Sequence, residues 1–271
     1  MSSMPSLDVI IQASKQLYQL IIKELSKQSI KKFDNNSKTF EQLESWRQST
    51  LPSIIHQRYE TNQTAWINKN ELILLMDWKL TKGKFRPTLP KLIKSNDDQV
   101  VIDTTKAGFK IILDYMNNNK SIDDIQEYKN IVKSALKKVC ELRGVGPATG
   151  SLILSLLIKI NPKLSPPFFS DESFMYLIEP TGGSIKYNVK EYIELLIPKY
   201  YELTKGSDVS FDVIERGSWA LWMYQHHKKD KLSNVHFPDD ITTKEVPEEE
   251  VPEEETSEEE DKPKPKRQRR R

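Results

Sequence analysis

The sequence predicts an all-α fold. Apolar residues recur at three-to-four spacing through most of the first 238 residues, and few stretches alternate apolar and polar with period two, so any sheet is minor. The composition supports a packed core: Trp, Tyr and Phe together give 24 aromatics, although hydrophobic residues are only 37% of the 271-residue chain. That dilution comes from a charged C-terminal tail.

Taken in order, Ser6 is placed to cap a first helix whose apolar positions are Val9, Ile10, Ala13, Leu17, Leu20, Ile21 and Leu25. The polar run FDNNSKTF reads as a loop. Residues 40–59 read as short helical pieces around Pro52, and 70–80 as a compact helix, ELILLMDWKL. A basic loop, TKGKFRP, follows. Two further helices are predicted over 96–116 and 121–143. Residues 151–160 are nearly all apolar and must be buried. A helix over 189–203 is kinked or ended by Pro198, and a last long helix over 210–229 carries Trp219 and Trp222, three apart on one core-facing side. No internal repeat is visible.

Residues 1–238 therefore form one helical domain and 239–271 a tail. The tail reads EVPEEEVPEEETSEEED and then KPKPKRQRRR, which has little to bury and is expected to be disordered. From Asp239 to Asp261 there are 13 acidic residues against one Lys, and from Lys262 to Arg271 seven basic ones. The first 238 residues keep 33 Lys and Arg against 26 Asp and Glu, an excess of positive charge that favours a polyanionic partner. The basic cluster Lys262 to Arg271 suits a nuclear import receptor, or simply pairs with the acidic run before it. The expected location is the nucleus, with the cytoplasm as the alternative. One cysteine, Cys140, excludes a disulfide framework within the chain and an iron–sulfur cluster. No apolar stretch is long enough to span a membrane. No cofactor or metal is expected: His226 and His227 are neighbours and do not share a helix face. A monomer is expected.

The informative stretch is 131–160, IVKSALKKVCELRGVGPATGSLILSLLIKI. An amphipathic helix runs to Leu142. Gly144, Val145 and Gly146 make a tight turn, and Pro147 suits the first position of the next helix, where its missing N–H costs nothing. Glycine tolerates positive φ and removes the Cβ that would hold a phosphate away. Backbone amides at the start of the second helix then face outward, where the helix dipole favours an anion. Val145 is placed to tuck between the two helices. The plainer alternative is a helical corner with Gly as a C-cap.

The run Leu142, Arg143, Gly144, Val145, Gly146, Pro147, Ala148, Thr149, Gly150 resembles the helix–hairpin–helix motif of the DNA glycosylase superfamily, Leu-x-Gly-Val-Gly-x-x-Thr-Ala. The resemblance is a divergent one, shared with fungal proteins of uncharacterised activity that carry similar TKGKFRP, GVGPATG and PFFSDE segments. It implies a glycosylase-like, endonuclease III-like helical fold, with the hairpin at about 125–160 binding DNA backbone phosphates through Gly144, Val145 and Gly146, and Thr149 supporting the turn. It also implies a catalytic Asp at the start of the following helix, which aligns with Asp171 across a Pro-rich loop several residues longer than the family's. Such a carboxylate stabilises the oxocarbenium-like sugar formed as a base departs and can orient the attacking water. Ser170-Asp171-Glu172 is equally the composition of a plain helix N-terminus. The bifunctional members carry a Lys where this chain has Ala148, so a Schiff-base lyase step from that position is excluded and any excision would be monofunctional. Where the family often continues Asp-Thr-His, this chain has Asp171-Glu172-Ser173.

Around WKLTKGKFRP the cations Lys79, Lys82, Lys84 and Arg86 interleave with Trp78 and Phe85, the make-up of a phosphate-binding and stacking surface. Lys82, Lys84 and Arg86 are expected to contact DNA, and Trp78, Phe85 and Glu172 to edge a base pocket. Trp78 also fits the core. Two other functions stay open at this point: a DNA- or chromatin-binding module without catalysis, and an interaction protein acting through its acidic tail.

Overall fold

The structure, a computed structural model, describes residues 6–180 and 182–238. It is mostly helical; among the described residues no strand forms beyond one isolated bridge, Phe33 to Lys38. The expected disordered tail, 239–271, and its basic cluster Lys262 to Arg271 lie outside the described residues.

Helix α1 covers 7–28, and Ser6 caps it by accepting from Val9 N at 3.4 Å. The loop FDNNSKTF turns at Asp34, Asn35 and Asn36, all with positive φ, which short polar side chains tolerate. Helix α2 runs over 40–62 without a break, where short pieces were expected. Helix α9, over 191–204, likewise runs through Pro198, although a kink or stop was expected. One physical reason covers both corrections. A widened π turn, Trp46–Thr50 in α2 and Glu191–Leu196 in α9, lies immediately ahead of each proline. Proline lacks the N–H for an i−4 bond and its ring crowds that carbonyl. The wider turn moves the carbonyl aside and the helix continues.

The remaining helices are α3 (Lys69–Lys82), α4 (Leu89–Lys94), α5 (Asp98–Asn118), α6 (Ile125–Val139), α7 (Pro147–Leu154), α8 (Asp171–Leu177) and α10 (Phe211–His227). Their starts follow from capping side chains. Asn68 and Glu71 form a reciprocal capping box on α3, Asp97 accepts from Gln99 N and Val100 N on α5, and Asp124 accepts from Gln126 N on α6. The helix predicted over 121–143 is thus shorter at both ends, because Asp124 fixes its start and the glycine turn its finish.

Helix α10 is the centre of the packing. It lies against α1, α8 and α9, and Gly217 lets it approach α1 so closely that a Cβ there would sit 2.1 Å from the Ile10 carbonyl oxygen. Trp219 is fully buried on its inner face, edge-on to Tyr18 at 5.2 Å. Helices α5 and α6 form an antiparallel pair, and the apolar run of α7 continues as a 3-10 segment, Ser155–Lys159, beneath α2. This arrangement brings the ends of α3, α7 and α8 to one place.

Candidate functional site

Helix α6 ends at the turn formed by Gly144, Val145 and Gly146, and α7 begins at Pro147. Gly144 has φ +79°, the left-handed conformation that favours glycine, and a Cβ there would press on Leu92 at 3.0 Å. Gly146 is exposed, and a Cβ on it would meet nothing within 4 Å. The first-turn amides of α7 have no preceding helical carbonyl to bond. Val145 is turned the other way: its side chain is buried, and its amide donates to Leu142 O at 3.1 Å. It holds the corner together and does not offer its N–H to a ligand.

Thr149 does not brace the turn. It is buried on α7, and among the described residues its hydroxyl has no hydrogen bond to the turn. The brace is Asn96, whose side chain accepts from Arg143 N and donates to Arg143 O, both at 2.9 Å, while also donating to Ile93 O at 3.0 Å. A buried amide that satisfies both the backbone N–H and the C=O of one residue fixes the turn against α4. Sequence reasoning passed over Asn96 because it belongs to no motif and acts across 47 positions of chain.

A cavity of about 220 Å³ opens beside this corner. That is far larger than the roughly 10–15 Å³ that admits one water. Its walls come from three places: Lys79, Lys82, Lys84 and Arg86 from the end of α3 and the loop after it; Gly144, Gly146, Ala148 and Thr149 from the turn and α7; and Phe168, Asp171, Glu172 and Tyr187 from α8 and its flanks. All four residues of the basic run and both expected carboxylates therefore contribute to the walls of one space with the glycine turn.

Two members of the expected base pocket are elsewhere. Trp78 is fully buried one layer behind the wall, its Nε1–H donating to Glu44 Oε2 at 2.6 Å. Phe168 stands in front of it, ring centroids 5.7 Å apart, and takes the wall position. Phe85 is 62% exposed and does not line the cavity, because the loop turns it outward. Lys82 is not a loop cation: it closes the last turn of α3, is 6% exposed, and aims its ammonium inward at Glu215 Oε1, 3.2 Å away. The rings of Trp219, Tyr18 and Trp78 surround that ammonium at 4.5 to 5.1 Å. Only Lys79, Lys84 and Arg86 are left to meet an anion in the cavity.

Asp171 is the first residue of α8. Its Oδ2 accepts from the Tyr187 hydroxyl at 2.6 Å. Burial, with the Asp171 hydrogen bond and charge, pushes the Tyr187 phenol up to about 12, so it stays a donor. Arg86 lies over the Tyr187 ring at 4.7 Å. Tyr187 has φ +57°, an uncommon conformation for a bulky side chain and a sign of stored backbone strain. No residue pattern signals it, so nothing in the chain of residues singles it out.

Glu172 follows Asp171 on α8 and accepts no ion-pair partner within 4 Å among the described residues. Burial, and then the charge of Asp171, raise its carboxyl to about 7. Lys79 is pulled below the ordinary lysine value by burial; Asp171 and Glu172 oppose that fall and Arg86 adds to it. Perturbed acids and amines facing one cavity mark a functional site. Among the described residues no group of three or more His, Cys, Asp or Glu is placed to hold a metal ion, and no helix is long and apolar enough to cross a membrane.

Comparison with known protein families, with curated proteins and with solved structures found no match for this chain.

Proposed function

We propose that this chain is a nuclear DNA-binding protein of the helix–hairpin–helix glycosylase class, which grips backbone phosphate at the Gly144–Gly146 turn and excises a base with Asp171, without a lyase step from position 148. One observation carries the reading: the exposed Gly146, the cations Lys79, Lys84 and Arg86, and the carboxylate of Asp171 all face a single cavity. The turn offers amides and the cations offer charge to phosphate, which positions a duplex without reading its sequence. Asp171 then stands where a flipped nucleotide would present its sugar, and its negative charge stabilises the oxocarbenium ion as the base leaves. Phe168 supplies an aromatic wall for that base.

The test is incubation with a panel of damaged duplexes followed by alkali cleavage. Product from the wild type and none from Asp171→Asn supports excision. No product from any lesion, with salt-dependent duplex binding retained, leaves a non-catalytic binding module on the same surface. Gly146→Glu places a carboxylate into the open space at the turn and is expected to weaken binding about equally across sequences. Unchanged affinity in that variant removes the turn from the contact.

A further inference from the structure

We propose that Glu172 is the acid of the Asp171–Glu172 pair, delivering a proton to the departing base, so that the substrate class is a neutral damaged base in preference to a cationic alkylated one. The inference rests on the base-excision reading of Asp171 and deepens it by naming what leaves.

The geometry divides the two carboxyls. Asp171 has a committed donor, accepting a hydrogen bond from the Tyr187 phenol at 2.6 Å. Glu172 has no such donor from another residue and no ion pair among the described residues. The charged groups that face it come from every neighbouring element: Lys79 and Lys82 on α3, Asp171 on its own helix and Glu215 on α10. Lys82 is spent on Glu215, leaving Glu172 without a committed cation. A carboxyl in a partly covered cavity, with a second acid beside it and no donor from a neighbouring side chain, is the one built to hold a proton, and that carboxyl is Glu172. The rise of Glu172 to about 7 agrees with that placement.

Protonation decides which bases can leave. A base already carrying positive charge departs as a neutral molecule when the C1′–N bond breaks. A neutral base departs as an anion unless a proton reaches one of its nitrogens. In the proposed step the C1′–N electron pair goes to the base, the Glu172 O–H proton goes to a base nitrogen, and Asp171 balances the positive sugar. Water then adds its oxygen to C1′ and returns one proton to Glu172. Bonds and charges balance with no further reactant.

Single-turnover excision by the full chain tests this on two duplexes, one with hypoxanthine and one with 7-methylguanine, from about pH 5.5 to about pH 8.5. For hypoxanthine the wild-type rate is expected to fall up to tenfold per pH unit above about pH 7, where Glu172 loses its proton. Glu172→Gln is expected to lower that rate at least about 100-fold and 7-methylguanine release far less, and Glu172→Asp to recover part of the hypoxanthine rate. Equal loss on both duplexes, or hypoxanthine excision undiminished in Glu172→Gln, overturns the acid role while leaving Asp171 in place. No excision of either base by the wild type overturns the base-excision reading itself, and the acid role with it.

Discussion

Two groups of buried and half-buried acids lie back to back in this molecule, and they are treated in opposite ways. Behind the cavity, Glu215 pairs with Lys82, and Asp212 bridges Arg47 at 3.5 Å and Arg216 at 2.9 Å. Glu44 accepts from Tyr18 and Trp78. Burial works against the Asp212 charge, yet Arg216 and Arg47 together outweigh it and hold the carboxyl below its usual range. Three cations therefore match three carboxylates, and the set is closed. On the cavity side, Asp171 and Glu172 form no ion pair among the described residues, and burial drives Glu172 upward. Paired acids hold a fixed charge; unpaired ones in a cavity stay free to titrate and to meet a ligand.

The closed set should be the costlier to break. Glu215→Ala leaves the Lys82 ammonium buried among aromatic faces without its carboxylate, and is expected to lower stability by about 3–5 kcal/mol in urea denaturation. Replacing both partners, as Lys82→Met with Glu215→Leu, is expected to cost far less, because neither charge is then stranded. A loss below about 1 kcal/mol for Glu215→Ala would mean that the rings of Trp219, Tyr18 and Trp78 suffice to hold the ammonium, and the contrast between the two groups would weaken.

The open pair predicts the opposite sign. Glu172 has its folded value near 7, above the ordinary 4.5, so between those values the folded chain holds a proton that the unfolded chain has released. Stability contributed at this site is intact below about pH 4.5 and declines as pH rises to about 7. Glu172→Gln removes that decline. It is expected to match wild type near pH 4 and to exceed it by on the order of 2 kcal/mol at pH 8. Equal stability of the two proteins at both pH values would show that Glu172 is as well solvated as a surface carboxylate.

These two groups also show what a sequence makes legible. The helices were readable because their periodicity and caps are local: Ser6 caps α1, and Ile10, Ala13, Leu17 and Ile21 are buried where the pattern puts them, although Leu20 of the same predicted stripe is exposed. So was the basic side of the cavity, since Lys84, Arg86 and the glycine turn belong to contiguous segments whose chemistry points to an anion, whereas Asp171 was reached through the family resemblance alone. The continuity of α2 and α9 through Pro52 and Pro198 was not, because a π turn is a backbone adjustment that no residue type announces. Nor was the inward aim of Lys82. Its partner Glu215 is 133 positions away, and only the fold, which sets Glu215 of α10 against the last turn of α3, reveals that a basic run hides one buried cation. Trp78 and Phe168 changed places for the same reason: both are aromatic, and only the order of layers decides which one forms the wall.

Tyr187 offers the smallest and sharpest probe of the open side. It reaches Asp171 from 16 positions away, out of an irregular segment, in a left-handed conformation that an L side chain adopts at a cost. Such strain persists only where the surroundings impose it, and here the hydroxyl on Asp171 and the guanidinium of Arg86 above the ring are what hold the residue. Tyr187→Phe keeps the ring, the strain and the guanidinium of Arg86 over the ring, and removes the hydroxyl with its bond to Asp171, so a loss of about 1 kcal/mol is expected. Asp171→Ala removes the same bond from the other end. In a double-mutant cycle measured by urea denaturation, the two changes are expected to be non-additive by roughly 0.5–1.5 kcal/mol. Additive losses would mean that the two side chains do not meet in solution, and Asp171 would then be as unrestrained as Glu172, erasing the distinction on which the assignment of acid and charge-stabilising carboxylate depends.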